Sequence, residues 1–158
     1  MESRPFRNTI IFGFLCGVSI HSLVHAAPTK TTEQEAIFNA AGFKQTNGTW
    51  RGKCSLGHIS VVKDFNSDGR PDAIILDGGT SCYGTLGIGF HLLTKQTTNK
   101  WTRILNSPGE PIFLKSIGRH GWPDLLISTT SKCHQVYSWD GSRFKKTRTE
   151  YKGQPCTL

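Results

Sequence analysis

From residue 58 onward the apolar positions come in short, often β-branched runs cut by turn residues. His58-Ile59-Ser60-Val61-Val62-Lys63 alternates in part, and Ala73-Ile74-Ile75-Leu76 is a continuous apolar run of strand length. Similar stretches follow at 86–93, 101–105, 112–117, 124–129, 135–139 and 143–149. Asn66, Gly78-Gly79, Asn99, Pro108-Gly109 and Asp140-Gly141 separate them, the pattern of short strands joined by tight turns. One stretch carries helix signals: Thr32-Glu33-Gln34-Glu35 is a capping box, Ile37, Ala40 and Ala41 share a face, and Gly42 is a stop. These predict a helix over 33–41. Asn47-Gly48 between 43–46 and 49–51 predicts a two-residue hairpin. The expectation is a mainly β fold of about nine short strands with one short N-terminal α-helix.

The first residues follow a different pattern. Arg4 and Arg7 precede an apolar stretch at 9–24, and Val24-His25-Ala26 offers small residues for cleavage before Ala27. Residues 1–26 are therefore predicted to be a secretory signal peptide. His21 and Ser22 interrupt the run, which falls short of the ~20 apolar residues of a spanning helix. Cys16 lies inside that run without a lipoprotein box, so no lipid anchor is expected. The expected mature chain, 27–158, is one domain long enough to bury a core, exported to the periplasm or the extracellular space. It keeps 17 basic against 10 acidic side chains, a net charge of +7. That balance favours a partner with an acidic surface, a protein or an envelope polymer. The basic residues are dispersed apart from Arg143, Lys145, Lys146, Arg148 and Lys152, without the aromatic-basic interleaving of a single-strand binder, so specific nucleic-acid binding is not expected.

Four cysteines remain after cleavage, Cys54, Cys82, Cys133 and Cys156, and an even count in an exported chain predicts two disulfides. The expected mature chain, 27–158, lacks the C-x-x-C and H-x-x-x-H spacings of zinc sites. Asn47-Gly48-Thr49 is a glycosylation sequon, of use only in a glycosylating host.

An internal repeat runs at an offset of 52: Lys63, Gly69, Pro71 and Asp72 align with Lys115, Gly121, Pro123 and Asp124, each set followed by an apolar triplet. Trp50 and Trp101 mark the starts of two units, about 50–100 and 101–150, and Tyr151 to Cys156 echoes Trp50 to Cys54 as if a third began. A period of about 50 residues is that of a propeller blade or similar four-strand unit. Two units cannot close a ring of ~4–8 blades. The prediction is two blade-like antiparallel β units packed on each other, propeller-fragment or sandwich-like; a fragment completed by a partner is the alternative.

The most specific motif is Asp64-Phe65-Asn66-Ser67-Asp68-Gly69-Arg70-Pro71-Asp72. Asp64, Asn66 and Asp68 place oxygens on alternate residues, Gly69 permits a sharp turn, the Arg70 carbonyl adds a donor and Asp72 closes the set. Hard oxygen donors in a flexible wrap suit calcium. Ile75 stands where a helix-flanked calcium loop would need a bidentate Glu. The competing possibility is a tight turn whose carboxylates bond local N–H groups. In the second copy Ser116, Gly118 and His120 replace three of the donors, leaving Asp124, so no calcium is expected there. In a hairpin centred near residue 68, Cys54 faces Cys82, leaving Cys133 for Cys156; the alternative Cys54–Cys156 with Cys82–Cys133 would tie the ends together.

The loop resembles the FG-GAP or VCBS-type repeat, through Asp64, Asn66, Asp68, Gly69, Pro71 and Asp72 and the apolar strand after them. The whole mature chain is similar to a group of small exported bacterial proteins carrying one such loop. The shared features are A-A-G-F at 40–43, T-W-R-G-K-C at 49–54, S-C-Y-G at 81–84, G-W-P-D at 121–124 and S-W-D-G-S-R-F at 138–144. The resemblance implies a β-rich domain with a calcium loop and no particular activity.

No nucleophile elbow, zinc-protease helix or phosphate loop occurs. The sequence favours a non-enzymatic binding module with a structural calcium loop. Second comes an inhibitor or immunity-type protein acting on an exported or cell-wall hydrolase, and third a small hydrolase using the loop or a His120–Asp124 pair.

Overall fold

The computed structural model describes residues 32–157. The predicted signal peptide, 1–26, and its predicted cleavage position lie outside the described residues.

Helix α1 (Glu33–Ala41) begins where the capping box placed it. The Thr32 hydroxyl accepts the Glu35 N–H at 3.2 Å, and Gly42 ends the helix in the left-handed region at φ 89°. Strands β1 (Lys44–Thr46) and β2 (Thr49–Arg51) form the predicted hairpin across Asn47 and Gly48, both at positive φ.

Two antiparallel meanders follow. The first sheet runs β3 (Gly57–Lys63), β4 (Asp72–Gly78), β5 (Ile88–Lys95) and β6 (Trp101–Pro108), each strand beside the next. The second runs β7 (Glu110–Ile117), β8 (Pro123–Ser128), β9 (His134–Trp139), β10 (Phe144–Tyr151) and β11 (Gln154–Pro155). The fold is mainly β, with a four-stranded and a five-stranded unit in sequence and, among the described residues, no closed barrel.

Three details differ from the sequence expectations. The boundary between units falls at Gly109 instead of 100/101, because Trp101 pairs with Lys95 and β6 completes the first sheet. Residues 151–156 turn back on β10 and add a fifth strand instead of opening a third unit. A second, one-turn helix α2 (Thr80–Tyr83) fills the glycine-rich segment expected to be loop and strand. Positive φ at Gly79, Gly84 and Gly87 curls the chain there, so β5 starts two residues late.

Strand β4 is buried along most of its length because both its faces are covered. Ala73 and Ile75 point toward α1, where they join Ile37, Phe38, Phe43, Leu93 and Trp101. Ile74 points the other way, into a cluster with Phe90 and Leu92 that meets Trp122, Leu125, Ile127 and Phe144 of the second sheet. This second cluster holds the sheets together.

Cys54 is bonded to Cys82 and Cys133 to Cys156. Two disulfides in so small a domain point to an oxidising, non-cytoplasmic compartment. Among the described residues no helix is long and apolar enough to cross a membrane.

Candidate functional site at the paired turns

The β3–β4 turn holds the aspartate motif, and the β7–β8 turn holds its repeat. In the first, Asp64 accepts the Asp68 N–H at 3.2 Å on one carboxylate oxygen and the Gly69 N–H at 2.9 Å on the other. Asn66 Oδ1 also accepts the Asp68 N–H at 3.2 Å, and Asn66 Nδ2 donates to Asp68 Oδ2 at 3.0 Å. Arg70 clasps the outside: its Nη2 donates to Asp68 Oδ2 at 2.6 Å and its Nε to the Lys95 carbonyl at 2.9 Å. Ser67 and Gly69 reach positive φ to bring these groups inward. Four of the five predicted donors thus lie in one hydrogen-bonded turn.

Asp72, the fifth, begins β4 and is fully buried. Its Oδ2 accepts the Phe65 N–H at 2.9 Å, while its Oδ1 is enclosed without a hydrogen-bond partner. Burial pushes the Asp72 carboxyl above its ordinary value. The Thr94 side chain and the Phe65 amide work the other way, and the charges of Asp68 and Asp64 add to the rise. Thr94, the cross-strand neighbour, sits near enough to favour the carboxylate but does not complete a bond to Oδ1.

The repeat-related Asp124 is solved differently. It accepts Ser138 Oγ at 2.6 Å, Ser116 Oγ at 2.9 Å and Arg148 Nη1 at 2.8 Å. Burial alone would raise its carboxyl, but Ser138, Arg148 and Ser116 together bring it below the usual carboxylate value. Ser116 stands where the first copy has Asp64, so a hydroxyl donor has replaced a charge. Two repeat-related buried carboxylates therefore have opposite electrostatics: Asp124 has a guanidinium partner, and among the described residues Asp72 has no cation bonded to it.

These three bonds also account for the Asp124 oxygens without His120. The His120 backbone is left-handed (φ 56°), and its ring turns toward Gly141. The His120–Asp124 pair considered from the sequence is not assembled.

The two turns touch. At Gly121, φ is 78° and an added Cβ would stand 2.2 Å from the Asn66 carbonyl oxygen. Beside this contact opens a cleft of about 620 Å³. Asp68 and Arg70 form one wall, His120 and Trp139 another, and Gln96 and Ser142 contribute from the strand ends. Trp139 packs against Trp122 and Phe144, with ring centroids 5.8 and 5.2 Å away, which fixes its orientation.

For a hard cation, the chemistry of the first turn fits in part. Oxygen donors are dense, and one buried carboxylate oxygen has no partner. As the side chains stand, no three Asp, Glu, His or Cys groups among the described residues converge as a metal cage, and Arg70 occupies Asp68. An ion would be held by Asp64, Asn66, Asp68, the Arg70 carbonyl and Asp72 once the Arg70 side chain had swung off Asp68. It would supply positive charge to the turn and tie its ends together.

Two groupings were not found from the sequence. In the sequence Arg148 reads only as part of a basic cluster, and its pairing with Asp124 depends on strand order. Asp77, Tyr83, His91 and Arg103 form a second polar cluster on the face of the first sheet that carries α1. A faint signal for it existed: Asp77 directly follows the apolar run of β4.

No protein-family model, curated protein or solved structure matches this chain. The fold and site define a class only: a disulfide-bonded domain of two antiparallel β-meanders, with one acidic turn and its rebuilt copy side by side.

Proposed function

We propose that this protein is an exported, non-enzymatic binding module whose acidic turn takes up a structural calcium ion, as in the FG-GAP or VCBS-type repeats it resembles. Its export destination is the periplasm or the extracellular space. It presents the cleft beside the paired turns to a protein or envelope polymer with an acidic surface.

The contrast between Asp72 and Asp124 carries the calcium assignment. Where the second unit neutralises its buried carboxylate with Arg148, the first surrounds its own with further acidic residues. A divalent cation reverses that balance. Binding there would brace one wall of the cleft, because Asp68 and Arg70 line it.

The test is a calcium titration of the oxidised protein with the melting temperature read at each step. A ligand that binds only the folded form stabilises it by about 2.7 kcal/mol at a hundredfold excess over its Kd. The melt rises with calcium in the wild type and stays flat in Asp68→Ala. A flat wild-type melt removes the calcium assignment and leaves the loop as a self-bonded turn. The binding role is tested separately, by retention on a column of acidic polysaccharide. Trp139→Ala and His120→Ala weaken retention if the cleft is the contact face; unchanged retention in both removes the cleft from the proposal.

A further inference from the structure

The second polar cluster borders a cavity of about 230 Å³, separate from the paired turns. Its walls are the C-terminal end of α1, the Phe43 ring and the Gly52 to Cys54 segment; Asp77, His91 and Arg103 line the side of the sheet. Phe43 lies flat across Gly52 and Gly57, where added Cβ atoms would stand 2.7 and 2.3 Å from its ring. Tyr83 lies across Gly89 in the same way, and its hydroxyl donates to Asp77 Oδ1 at 2.7 Å.

Arg103 is fixed in place. Its Nη1 donates to the Ala41 carbonyl, the last of α1, at 2.7 Å, and lies 3.4 Å from His91 Nδ1. Arginine has no acceptor, so His91 Nδ1 offers its lone pair and the ring proton sits on Nε2. That buried Nε2 is 3.5 Å from Asp77 Oδ1 without a completed hydrogen bond. Among the described residues no carboxylate pairs with Arg103, and Lys53 supplies a second cation at the rim.

We propose that this cavity binds a small monocarboxylate, its anionic group held by Arg103 and Lys53. A fixed guanidinium matches the two oxygens of a carboxylate, and the α1 carbonyl and His91 have already oriented it. Asp77 selects against more highly charged anions, because a phosphate dianion would meet a buried carboxylate in the same small space. The volume lies below the ~300–1,000 Å³ of pockets for drug-sized ligands, so the ligand has few heavy atoms or is the carboxylate end of a chain. The site does not depend on calcium in the acidic turn.

The experiment is a titration of the full oxidised protein, followed by amide and arginine side-chain NMR shifts. The probes are acetate for a free acid, N-acetylglycine for a chain end, and acetamide as the uncharged isostere. The expected result is saturable shifts at Arg103 and Gly52 with one or both carboxylates and none with acetamide; the tighter probe identifies the source. Arg103→Gln weakens binding roughly three- to tenfold, a hydrogen bond to a charged group discounted because Arg103 is itself exposed. Because Arg103 also secures α1, Lys53→Gln is the second variant; it lies on the exposed rim and weakens binding roughly two- to fivefold. The proposal is overturned if neither carboxylate saturates, if acetamide shifts the same signals, or if Lys53→Gln binds like the wild type.

Discussion

Gly69 and Gly121 occupy the same position of the internal repeat and have nearly the same backbone, φ 82° and 78°. Their surroundings differ. A Cβ at Gly69 would meet nothing within 4 Å, whereas one at Gly121 would stand 2.2 Å from the Asn66 carbonyl oxygen. Substituting each by Ala isolates the contact between the two turns. Placing Ala in the left-handed region costs roughly 1–2 kcal/mol, and the stiffer unfolded chain returns about 0.4–1 kcal/mol. Gly69→Ala should therefore lose about 1 kcal/mol. Gly121→Ala carries the same backbone cost plus about 1–3 kcal/mol of overpacking, because the carbonyl it strikes is main chain and cannot swing aside. Its expected loss is about 2–4 kcal/mol. At roughly 3–5 °C per kcal/mol for a domain of this size, Gly69→Ala lowers the melt by about 3–5 °C and Gly121→Ala by about 6–20 °C. Urea unfolding followed by tryptophan fluorescence gives the free energies, with an unchanged slope showing that the unfolded state is the same. Equal losses in the two variants would refute the close approach of the turns, and with it the cleft they border.

Three further outcomes follow from the electrostatics. The Asp72 carboxyl is raised in the folded state, so the folded protein holds that proton more tightly than the unfolded chain and its stability falls as pH rises through the folded value. Without calcium, Asp72→Asn should therefore stabilise the protein at pH 7, with the gain shrinking on acidification; melts in chelator at neutral and acid pH check this, and a loss at pH 7 counts against it. Asp124 has the opposite sign: its carboxyl is lowered, so its stabilisation is full above the unfolded value and lost as pH falls through the folded one. Arg148→Met should cost about 1–2 kcal/mol at pH 7 and less in acid, a figure discounted because the Arg148 side chain is 41% exposed. The Tyr83 phenol is pushed up to about 12 by burial first and by its bond to Asp77 second. Gly89→Ala puts a Cβ 2.3 Å from that ring, so Tyr83 should leave Asp77 and titrate nearer ~10, which an alkaline ultraviolet titration of the three tyrosines reads directly.

Local chemistry was legible from the chain alone because it acts over a few residues. The Thr32–Glu35 cap, the Gly42 stop and the Asn47-Gly48 turn each appear where their side chains and backbone preferences demand. The 52-residue repeat carried the two-unit architecture, since Lys, Gly, Pro and Asp at fixed spacing specify the same turn-to-strand passage twice. The cysteine pairing followed from hairpin symmetry. What tertiary structure decided depends on residues far apart in sequence. Asp124 finds Arg148 only because β8, β9 and β10 are neighbours. Gly121 meets Asn66 only because the sheets pack through Ile74, Phe90 and Leu125. Asp77, His91 and Arg103 come into line only through the registers of β4, β5 and β6. The sequence supplied two equivalent buried aspartates; the charge facing each, and hence its chemistry, was set by which strand came to lie beside it.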